Sequence, residues 1–387
     1  MLDRLDNQPP DALLALIRAH AEDERPDKID LGVGVYRTGG GDTPVFEAIK
    51  EAERRLIGEQ MSKSYLGPEG DMGFVNGLKR YIFGEDATMG GRIAGMQTPG
   101  GTGAVRLALA VAKAAGARKV HLGTPSWPNH AQIIDDLGME VAPFEHARDG
   151  KADADVVLER IEGASAEEIF LLQGSSHNPT GIDYSLEQWR QIARALAQSP
   201  ALALIDIAYQ GLGEGMDEDV AGLRIVLGEV SEALIAYSCD KNFGLYRDRV
   251  GALYVLAKDG GDLDAIMSNA NSLARANWSM PPDHGGAAVR IVLRDHELTQ
   301  TWLAELTSMR ERIRAVREQL AKSGAPGLDR LAQQNGLFAM LPLTGEQVDA
   351  MRKDHGVYMA RSGRINVAGL HDGNIDAFLD AYRAVAG

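Results

Sequence analysis

Short apolar runs alternate with amphipathic segments through the middle of the chain. The apolar runs predict strands, and the segments between them, with apolar residues every three or four positions, predict helices. The strands are Lys119–Leu122, Ile169–Leu172, Ala201–Ile205, Leu234–Ala236 and Ala252–Leu256, and the helices include His130–Leu137 and Leu186–Ala197. Short, fully apolar strands separated by helices are typical of a mostly parallel sheet that is covered on both faces.

The two ends of the chain have a more mixed pattern. Asp11 is placed to cap a helix over Ala12–Ala21, and Lys28–Val35 predicts a strand that Gly32 and Gly34 interrupt. Glycines there fit either a plain bulge or a close approach of the backbone to a ligand or another segment. The other predicted elements are a helix over Val45–Gly58, a long helical segment over Gly285–Lys322 interrupted near Arg294 and Asp295, strand-like pieces at Gly336–Met340 and Gly356–Tyr358, and a last helix over Ile375–Val385.

Composition narrows the class of protein. With 387 residues, 44% of them hydrophobic and 25% charged, the chain has the length of about two domains and the composition of a globular protein. Its net charge of -15 argues against a nucleic-acid partner or an anionic membrane surface, and no window approaches ~18 apolar residues. Cys239 is the single cysteine, which excludes an intramolecular disulfide. We therefore expect a cytoplasmic protein with no nucleic-acid or membrane partner.

Polar residues follow the predicted strands at the point where each strand ends. In sheets of this kind, ligands bind at the carboxyl ends of the strands. Lys241 follows the apolar run that ends at Tyr237, and it is either a solvated loop residue or a desolvated amine. A desolvated amine has a lowered pKa and can act as a nucleophile. The residues that we expect at this edge of the sheet are Trp127, Asn178, Asp206, Tyr209 and Lys241.

The glycine-rich stretch Gln97–Gly103 runs into the apolar-periodic segment Ala104–Ala115. Backbone N–H groups freed by glycine, next to the N-terminus of a helix, make a site for a phosphate. Arg106 stands where a dinucleotide-binding motif has its third glycine, and no Gly-Lys-Ser/Thr follows as in a P-loop. The stretch therefore predicts a phosphate site of another type, with an ordinary loop as the alternative.

Five motifs occur here in the order in which they occur in a known enzyme family. They are Thr124–His130, His177–Gly181, Asp206–Gly211, Lys241–Tyr246 and Ser362–Gly369. From Leu31 almost to the C-terminus, the chain resembles the aspartate/aromatic aminotransferases, which are pyridoxal-phosphate (PLP) enzymes of fold type I. The resemblance implies PLP as cofactor and a ping-pong transamination through a Schiff base on Lys241. The expected substrates are aspartate or aromatic amino acids with 2-oxoglutarate, and no metal is implied.

The resemblance also implies an architecture. Fold type I is an α/β fold whose large domain holds a mixed, mostly parallel seven-stranded sheet, and whose smaller α/β domain is built from both chain ends. We expect an N-terminal arm over residues 1–11, a small domain over 12–43 and 300–387, and a large PLP-binding domain over 44–299. The family also implies a homodimer in which Tyr65 and Arg275 act across the interface.

Individual residues take their roles from the resemblance. Lys241 matches the Schiff-base lysine that moves a proton between the substrate α-carbon and the cofactor, and Asp206 matches the carboxylate that keeps the pyridine nitrogen protonated. His130 would support Asp206. Tyr209 and Asn178 would donate hydrogen bonds to the phenolic oxygen of the cofactor. The remaining matches are Trp127, stacked on the cofactor ring; Gly101, Thr102, Ser238, Arg249 and Tyr65, around its phosphate; and Gly34, Trp127, Asn178, Arg275 and Arg364, which bind substrate.

Two arginines and two departures from the family pattern bear on the substrate. Arg364 matches the bidentate partner of the α-carboxylate, and Arg275 matches the residue that binds the side-chain carboxylate of a dicarboxylic substrate. Aromatic-preferring relatives can keep that second arginine. Met280 and Ser64 stand where the aspartate enzymes commonly have Asn. Both changes make the pocket less polar or roomier, so dicarboxylic and aromatic substrates rank as near equals.

Asp240 is a further departure, because it replaces the serine that usually precedes the lysine. A carboxylate beside a phosphate dianion is repulsive unless another group compensates for it. Our hypothesis is that Asp240 turns toward Arg249 or Arg247 and away from the phosphate.

Two other functions share parts of this pattern. One is a different fold type I reaction on aspartate-like substrates, such as that of a β-decarboxylase or β-lyase. The other is an aminotransferase-like protein that binds a ligand without turnover, as in a transcription regulator. A regulator of that kind needs a basic DNA-binding segment, which this acidic chain does not have.

Overall fold

The structure is a computed structural model that describes residues 2–7 and 12–387. The predicted cap Asp11 and part of the predicted N-terminal arm lie outside the described residues. The helices are α1 (Ala12–Glu22), α2 (Glu47–Glu59), α3 (Met72–Phe83), α4 (Gly100–Ala114), α5 (Pro128–Asp136), α6 (Ala154–Glu162), α7 (Leu186–Gln198), α8 (Ala221–Glu229), α9 (Leu263–Asn277), α10 (Asp283–Arg294), α11 (His296–Lys322), α12 (Gly345–His355) and α13 (Ile375–Ala386).

The strands are short, and most of them belong to one sheet. They are β1 (Ile29–Asp30), β2 (Ile93–Pro99), β3 (Lys119–Thr124), β4 (Glu140–Glu145), β5 (Ala147–Arg148), β6 (Lys151–Ala152), β7 (Glu168–Gln173), β8 (Leu202–Ile207), β9 (Ala233–Ser238), β10 (Val250–Leu256), β11 (Phe338–Met340), β12 (Val357–Tyr358) and β13 (Arg364–Asn366). The predicted interruption of the long helical segment is confirmed, since α10 and α11 are separated at Asp295.

The chain forms two compact units. The larger one comprises residues 44–311 and 334–336, and the smaller one comprises the described residues up to 43 together with 312–333 and 337–387. The second boundary falls at residue 312, inside α11, whereas the sequence placed it at residue 300. Among the described residues, no helix is both long enough and apolar enough to span a membrane.

The larger unit holds the predicted seven-stranded sheet, in the order β2-β10-β9-β8-β7-β3-β4. The strands from β9 to β4 run parallel, and β10 runs antiparallel to both of its neighbours, which confirms the mixed, mostly parallel sheet. Every residue of β9 and β10 is buried, so an uninterrupted apolar run was a sound signal for them. Helix α4 packs on β9 and β10 with most of its length buried.

Register brings the carboxyl ends of the parallel strands to one edge. Gln173 of β7 pairs with Asp206 of β8, and Ile207 of β8 pairs with Tyr237 of β9. Because the strands run in the same direction, the residues that follow them emerge together at this edge. The fold therefore collects the polar residues that end β3, β7, β8 and β9 in one place.

The smaller unit is built from both chain ends. Strand β1 pairs in parallel with β12, and β11 pairs antiparallel with β13. The prediction of a strand over Lys28–Val35 was too long, because β1 ends at Asp30. Beyond it, the side-chain amide of Asn366 donates hydrogen bonds to the carbonyls of Val33 and Val35, at 2.7 and 2.6 Å. A side chain thus satisfies backbone groups that a neighbouring strand would otherwise pair.

Candidate active site

A buried chain of three polar side chains leads to the end of β8. The Nε2 atom of His130 lies 3.0 Å from Oδ2 of Asp206, and Nδ1 of His130 lies 2.9 Å from Oγ of Ser126. His130 is fully buried and Asp206 is 6% exposed. Both ring nitrogens of His130 are thus engaged, Nε2 by Asp206 and Nδ1 by the Ser126 hydroxyl. The two contacts fix the orientation of the imidazole and of the Asp206 side chain.

Local sequence explains the position of the imidazole. Helix α5 begins at Pro128, a residue favoured in the first turn of a helix because its missing N–H needs no partner there. The backbone N–H of His130 donates to the carbonyl of Trp127 at 2.9 Å, which turns the histidine toward the sheet. The half-buried ring of Trp127 meets the His130 ring edge-on, with centroids 5.0 Å apart. Trp127 and His130 therefore enter the site on the same helical turn.

Gln173 connects this chain to a second pair of polar residues. Its amide exchanges two hydrogen bonds of 2.9 Å with the backbone of Asn178 and donates a third, of 3.3 Å, to Ser126. The Asn178 side-chain amide donates to the hydroxyl of Tyr209 at 3.4 Å. The Asn178 Oδ1 atom is buried and has no hydrogen-bond partner among the described residues. Gln173 was missed by the sequence reasoning, because it lies within a strand that was predicted only from its apolar residues.

Lys241 lies beside this group. The residue is half-buried, and its Nζ atom lies 5.2 Å from the centroid of the Tyr209 ring. Burial lowers the pKa of the Lys241 amine, whereas the charges of Asp240 and Asp206 raise it and Arg249 lowers it. Of the two alternatives left open by the sequence, these surroundings favour the desolvated amine.

A second buried network, also missed from sequence, fixes the neighbours of Lys241 and Tyr209 in the chain. The hydroxyl of Tyr237 donates to the side chain of Gln210 at 2.6 Å and accepts from the side chain of Asn242 at 2.9 Å. All three side chains are fully buried. Gln210 follows Tyr209 and Asn242 follows Lys241, so one phenol links the two loops that carry these residues. The indole of Trp302 donates to the backbone carbonyl of Asn242 at 2.6 Å and completes the anchor.

The residues predicted to bind a phosphate lie at and around the N-terminus of α4. The helix begins at Gly100 and not at Ala104, so the glycines are its first turn and not a loop. Pro99 precedes it and makes no side-chain cap, which leaves the first N–H groups directed outward. A Cβ atom on Gly101 would lie 2.8 Å from the Cβ of buried Ser238. Thr102 follows in the same turn and is half-buried.

Asp240 and Arg249 lie over the same helix end. Arg249 Nη1 lies 2.5 Å from Asp240 Oδ2, and the Asp240 side chain is 5% exposed against 38% for that of Arg249. The part of the hypothesis that pairs Asp240 with Arg249 is confirmed, but the part that turns it away from the phosphate is not, because its Oδ2 would lie 3.1 Å from a Cβ atom on Gly100 at the start of α4. Residue 249 has a φ of 55°, a conformation uncommon outside glycine, and its Nη1 also donates to the carbonyl of Tyr246 at 3.0 Å.

The remaining predicted site residues lie elsewhere on the chain. Tyr65 is 93% exposed, and Arg275 is exposed in the last turn of α9. Gly34 and Arg364 belong to the smaller unit. There, Arg364 donates to the carbonyl of Gly32 at 2.9 Å and lies 4.9 Å from the ring centroid of Phe338.

Close packing decides between the two explanations for Gly34, a plain bulge and a close approach of the backbone. A Cβ atom on it would lie 2.7 Å from the Phe338 ring, so of the two explanations for this glycine, close approach to another segment is correct.

Comparison with known proteins gives a consistent set of matches. The family model described as aminotransferase class I and II matches residues 26–381. The tyrosine aminotransferase of Rhizobium meliloti (strain 1021) is 47% identical over 375 residues, with 96% of each chain covered. The aspartate aminotransferase of Haemophilus influenzae is 40% identical over 385 residues, with 97% of each chain covered.

Solved structures agree with these matches. An aromatic amino acid aminotransferase with 3-indolebutyric acid is similar with a TM-score of 0.95 at 38% identity, and 100% of both chains is covered. The aromatic-amino-acid aminotransferase of Burkholderia pseudomallei, covalently bound to pyridoxal phosphate, is similar with a TM-score of 0.95 at 32% identity, again with 100% of both chains covered.

Proposed function

The chain belongs to the class I and II aminotransferase family, and we propose that it transfers amino groups between aspartate or aromatic amino acids and 2-oxoglutarate. Enzymes of this family depend on PLP, and the fold is that of fold type I. The observation that carries the proposal is the group of Asp206, Lys241, Tyr209 and Asn178 at the carboxyl edge of the sheet. A different fold type I reaction or a non-catalytic role is not favoured by these relatives.

The residues present fit PLP at each of its polar groups. The buried, oriented carboxylate of Asp206 suits a protonated ring nitrogen, and the amide nitrogen of Asn178, which has two N–H groups, can donate one to Tyr209 and the other to a ring oxygen. The glycine-rich first turn of α4, which has no side-chain cap, suits a phosphate at a helix N-terminus. When bound, PLP supplies an aldehyde that reacts with amines and a ring that withdraws electrons from the substrate α-carbon.

Each residue then has a task that follows from its surroundings. The lowered pKa of Lys241 raises the fraction of neutral amine, which is the form that attacks a carbonyl and accepts a proton. Asp206, held by His130, would keep a proton on the ring nitrogen, while Tyr209 and Asn178 would donate to the ring oxygen. We assign the face of the ring to Trp127, and the phosphate to Gly101, Thr102, Ser238 and Arg249.

We assign substrate binding to two arginines. Arg364 has a fork of N–H groups suited to an α-carboxylate, and Gly34 would let the backbone approach the substrate.

We propose a homodimer in which the exposed Tyr65 and Arg275 serve the partner's site, Tyr65 at the phosphate and Arg275 at the substrate side chain. We place the enzyme in the cytoplasm, which suits the buried thiol of Cys239, whose pKa burial raises.

Met280 and its neighbours bear on the range of substrates that the enzyme accepts. The half-buried Met280 lies with its sulfur 3.0 Å from the backbone nitrogen of Leu66, next to the loop that carries Ser64 and Tyr65. A flexible thioether in place of an amide offers an apolar wall to an aromatic ring. The relatives include a tyrosine and an aspartate aminotransferase, which supports dual use.

Steady-state kinetics test the proposal. We expect kcat/KM values of similar size for aspartate, phenylalanine and tyrosine with 2-oxoglutarate as acceptor. A thousandfold bias in either direction contradicts dual use.

Transamination itself is tested by half-reactions: aspartate should convert the bound cofactor to its amine form, and 2-oxoglutarate should reverse the change. A decarboxylase or lyase would instead release product with the cofactor still in its aldehyde form.

A further inference from the structure

Asp240 places a negative charge inside the site that we assign to a phosphate. The residue is 4% exposed, and its Oδ2 lies 2.5 Å from Nη1 of Arg249. A Cβ atom on Gly100, the first residue of α4, would lie 3.1 Å from that same Oδ2 and 2.5 Å from Nη2 of Arg249. The carboxylate and the guanidinium therefore lie directly over the N-terminus of α4, where the helix dipole favours an anion.

The ion pair with Arg249 accounts for only one of the two carboxylate oxygens of Asp240. Its Oδ1 is buried and has no hydrogen-bond partner among the described residues, although a buried carboxylate oxygen is normally paired. Its backbone N–H donates to the hydroxyl of Ser238 at 3.3 Å. Two residues that we assign to the phosphate, Arg249 and Ser238, are thus both engaged by residue 240.

We propose that Asp240 is an internal competitor for the phosphate of the cofactor. It pairs with Arg249, cancels part of the positive potential at the start of α4, and so weakens binding of the phosphate end of PLP. The inference rests on the proposed function, because it requires that this is the phosphate site. A carboxylate that shares one guanidinium with a phosphate dianion repels that dianion, so removal of the negative charge strengthens binding.

If Asp240 instead favours phosphate binding, its replacement should change PLP affinity in the opposite direction. If Asp240 served to orient Arg249 toward the phosphate, loss of the ion pair would release the guanidinium and weaken PLP binding. If the charge were screened by the 38% exposed arginine, its removal would change little. The three possibilities are therefore separated by the direction of one measured change.

The experiment compares cofactor affinity in the full-length wild type and in Asp240→Asn and Asp240→Ser after removal and re-addition of the cofactor. Dissociation constants are measured for PLP, for pyridoxal, which lacks the phosphate, and for inorganic phosphate. We expect both variants to bind PLP and inorganic phosphate about tenfold more tightly, a change of about 1.4 kcal/mol. Pyridoxal affinity should change less than twofold, because the effect acts on the phosphate.

Asp248→Asn is the matched control. Asp248 lies in the same loop as Asp240 and is half-buried, and its replacement changes the net charge by the same amount while both partners of the Asp240–Arg249 ion pair are kept. We expect PLP affinity within twofold of wild type for this variant.

The other possible results of these measurements contradict either the proposal or the assignment of the phosphate site. Weaker or unchanged PLP binding in both Asp240 variants overturns the proposal, as does an equal gain in Asp248→Asn. The serine variant carries the test if the asparagine variant does not fold, since serine is the residue that the family pattern has at this position. A wild-type protein that binds pyridoxal and PLP equally weakly would instead overturn the assignment of the phosphate site, and with it the proposed function.

Discussion

The phenol of Tyr237 offers the sharpest test of how the site is held together. Replacement by Phe removes one oxygen and keeps the ring, which is fully buried in β9. That oxygen donates to Gln210 at 2.6 Å and accepts from Asn242 at 2.9 Å. The variant therefore leaves one acceptor and one donor without these partners in an interior that water does not reach.

The expected magnitude follows from those two groups. A buried polar group left unsatisfied costs about 1–3 kcal/mol, so Tyr237→Phe, which affects two such groups, should lower the free energy of unfolding by about 2–6 kcal/mol. Tyr254→Phe is the matched control on the neighbouring strand β10. Tyr254 is also fully buried, but its hydroxyl makes a hydrogen bond, of 2.7 Å, to the single carbonyl of Val75. We expect about 1–3 kcal/mol there, half of the loss in Tyr237→Phe.

The assay is urea denaturation of both variants, followed by steady-state kinetics of the folded protein. Because Tyr237 joins the loops that carry Lys241 and Tyr209, we expect kcat to fall at least tenfold in Tyr237→Phe with KM nearly constant, and to stay within twofold in Tyr254→Phe. Equal losses of stability in the two variants, or an unchanged kcat in Tyr237→Phe, would refute the anchoring role.

Four further predictions concern the site and its surroundings. Lys241→Ala should abolish covalent attachment of PLP, measured by absorbance after gel filtration, while aspartate and the aldehyde still react in solution. Asp206→Asn should lower kcat by a thousandfold or more because an amide does not hold a proton on the ring nitrogen, and His130→Asn should cost about tenfold. Arg275→Ala should lower kcat/KM for aspartate at least a hundredfold and leave that for phenylalanine within fivefold. Burial lowers the pKa of His146 from 6.5 to about 4, so the unfolded chain takes up a proton in that window and the folded chain does not. Stability should therefore fall as pH drops from 6.5 to 4, by about 3 kcal/mol, and the slope should flatten in His146→Gln.

The sequence could predict the central strands because they are buried on both faces. The two outermost strands of the sheet, β2 and β4, were not predicted. Strand β2 contains Gly95 and the polar Gln97, whose amide is buried and bonded to the carbonyl of Pro282 and the backbone N–H of Asp71. Strand β4 begins and ends in glutamate and is mostly not buried. Apolar periodicity does not identify a strand whose residues make tertiary hydrogen bonds or face solvent in place of apolar packing.

The site was predictable to the extent that it lies at strand ends. Asp206, Tyr209 and Lys241 follow apolar runs, and a parallel sheet brings such positions together. Gln173 and Tyr237 could not be found in this way, because each acts on residues in other strands or loops. Their roles depend on register and on side-chain direction, which local patterns do not encode.

The hydrogen-bond networks divide the site into a fixed part and an adjustable part. Tyr209 is held through its own hydroxyl by Asn178, and through its neighbour Gln210 by Tyr237, which also reaches the residue after Lys241. The hydroxyls of Tyr209 and Tyr237 are buried and hydrogen-bonded, which restricts the movement of the loops that carry Tyr209 and Lys241. At the phosphate end, by contrast, the partner of Asp240 is partly exposed and one carboxylate oxygen is unpaired. A change in cofactor affinity can therefore arise at Asp240 without disturbing the geometry of the reacting groups.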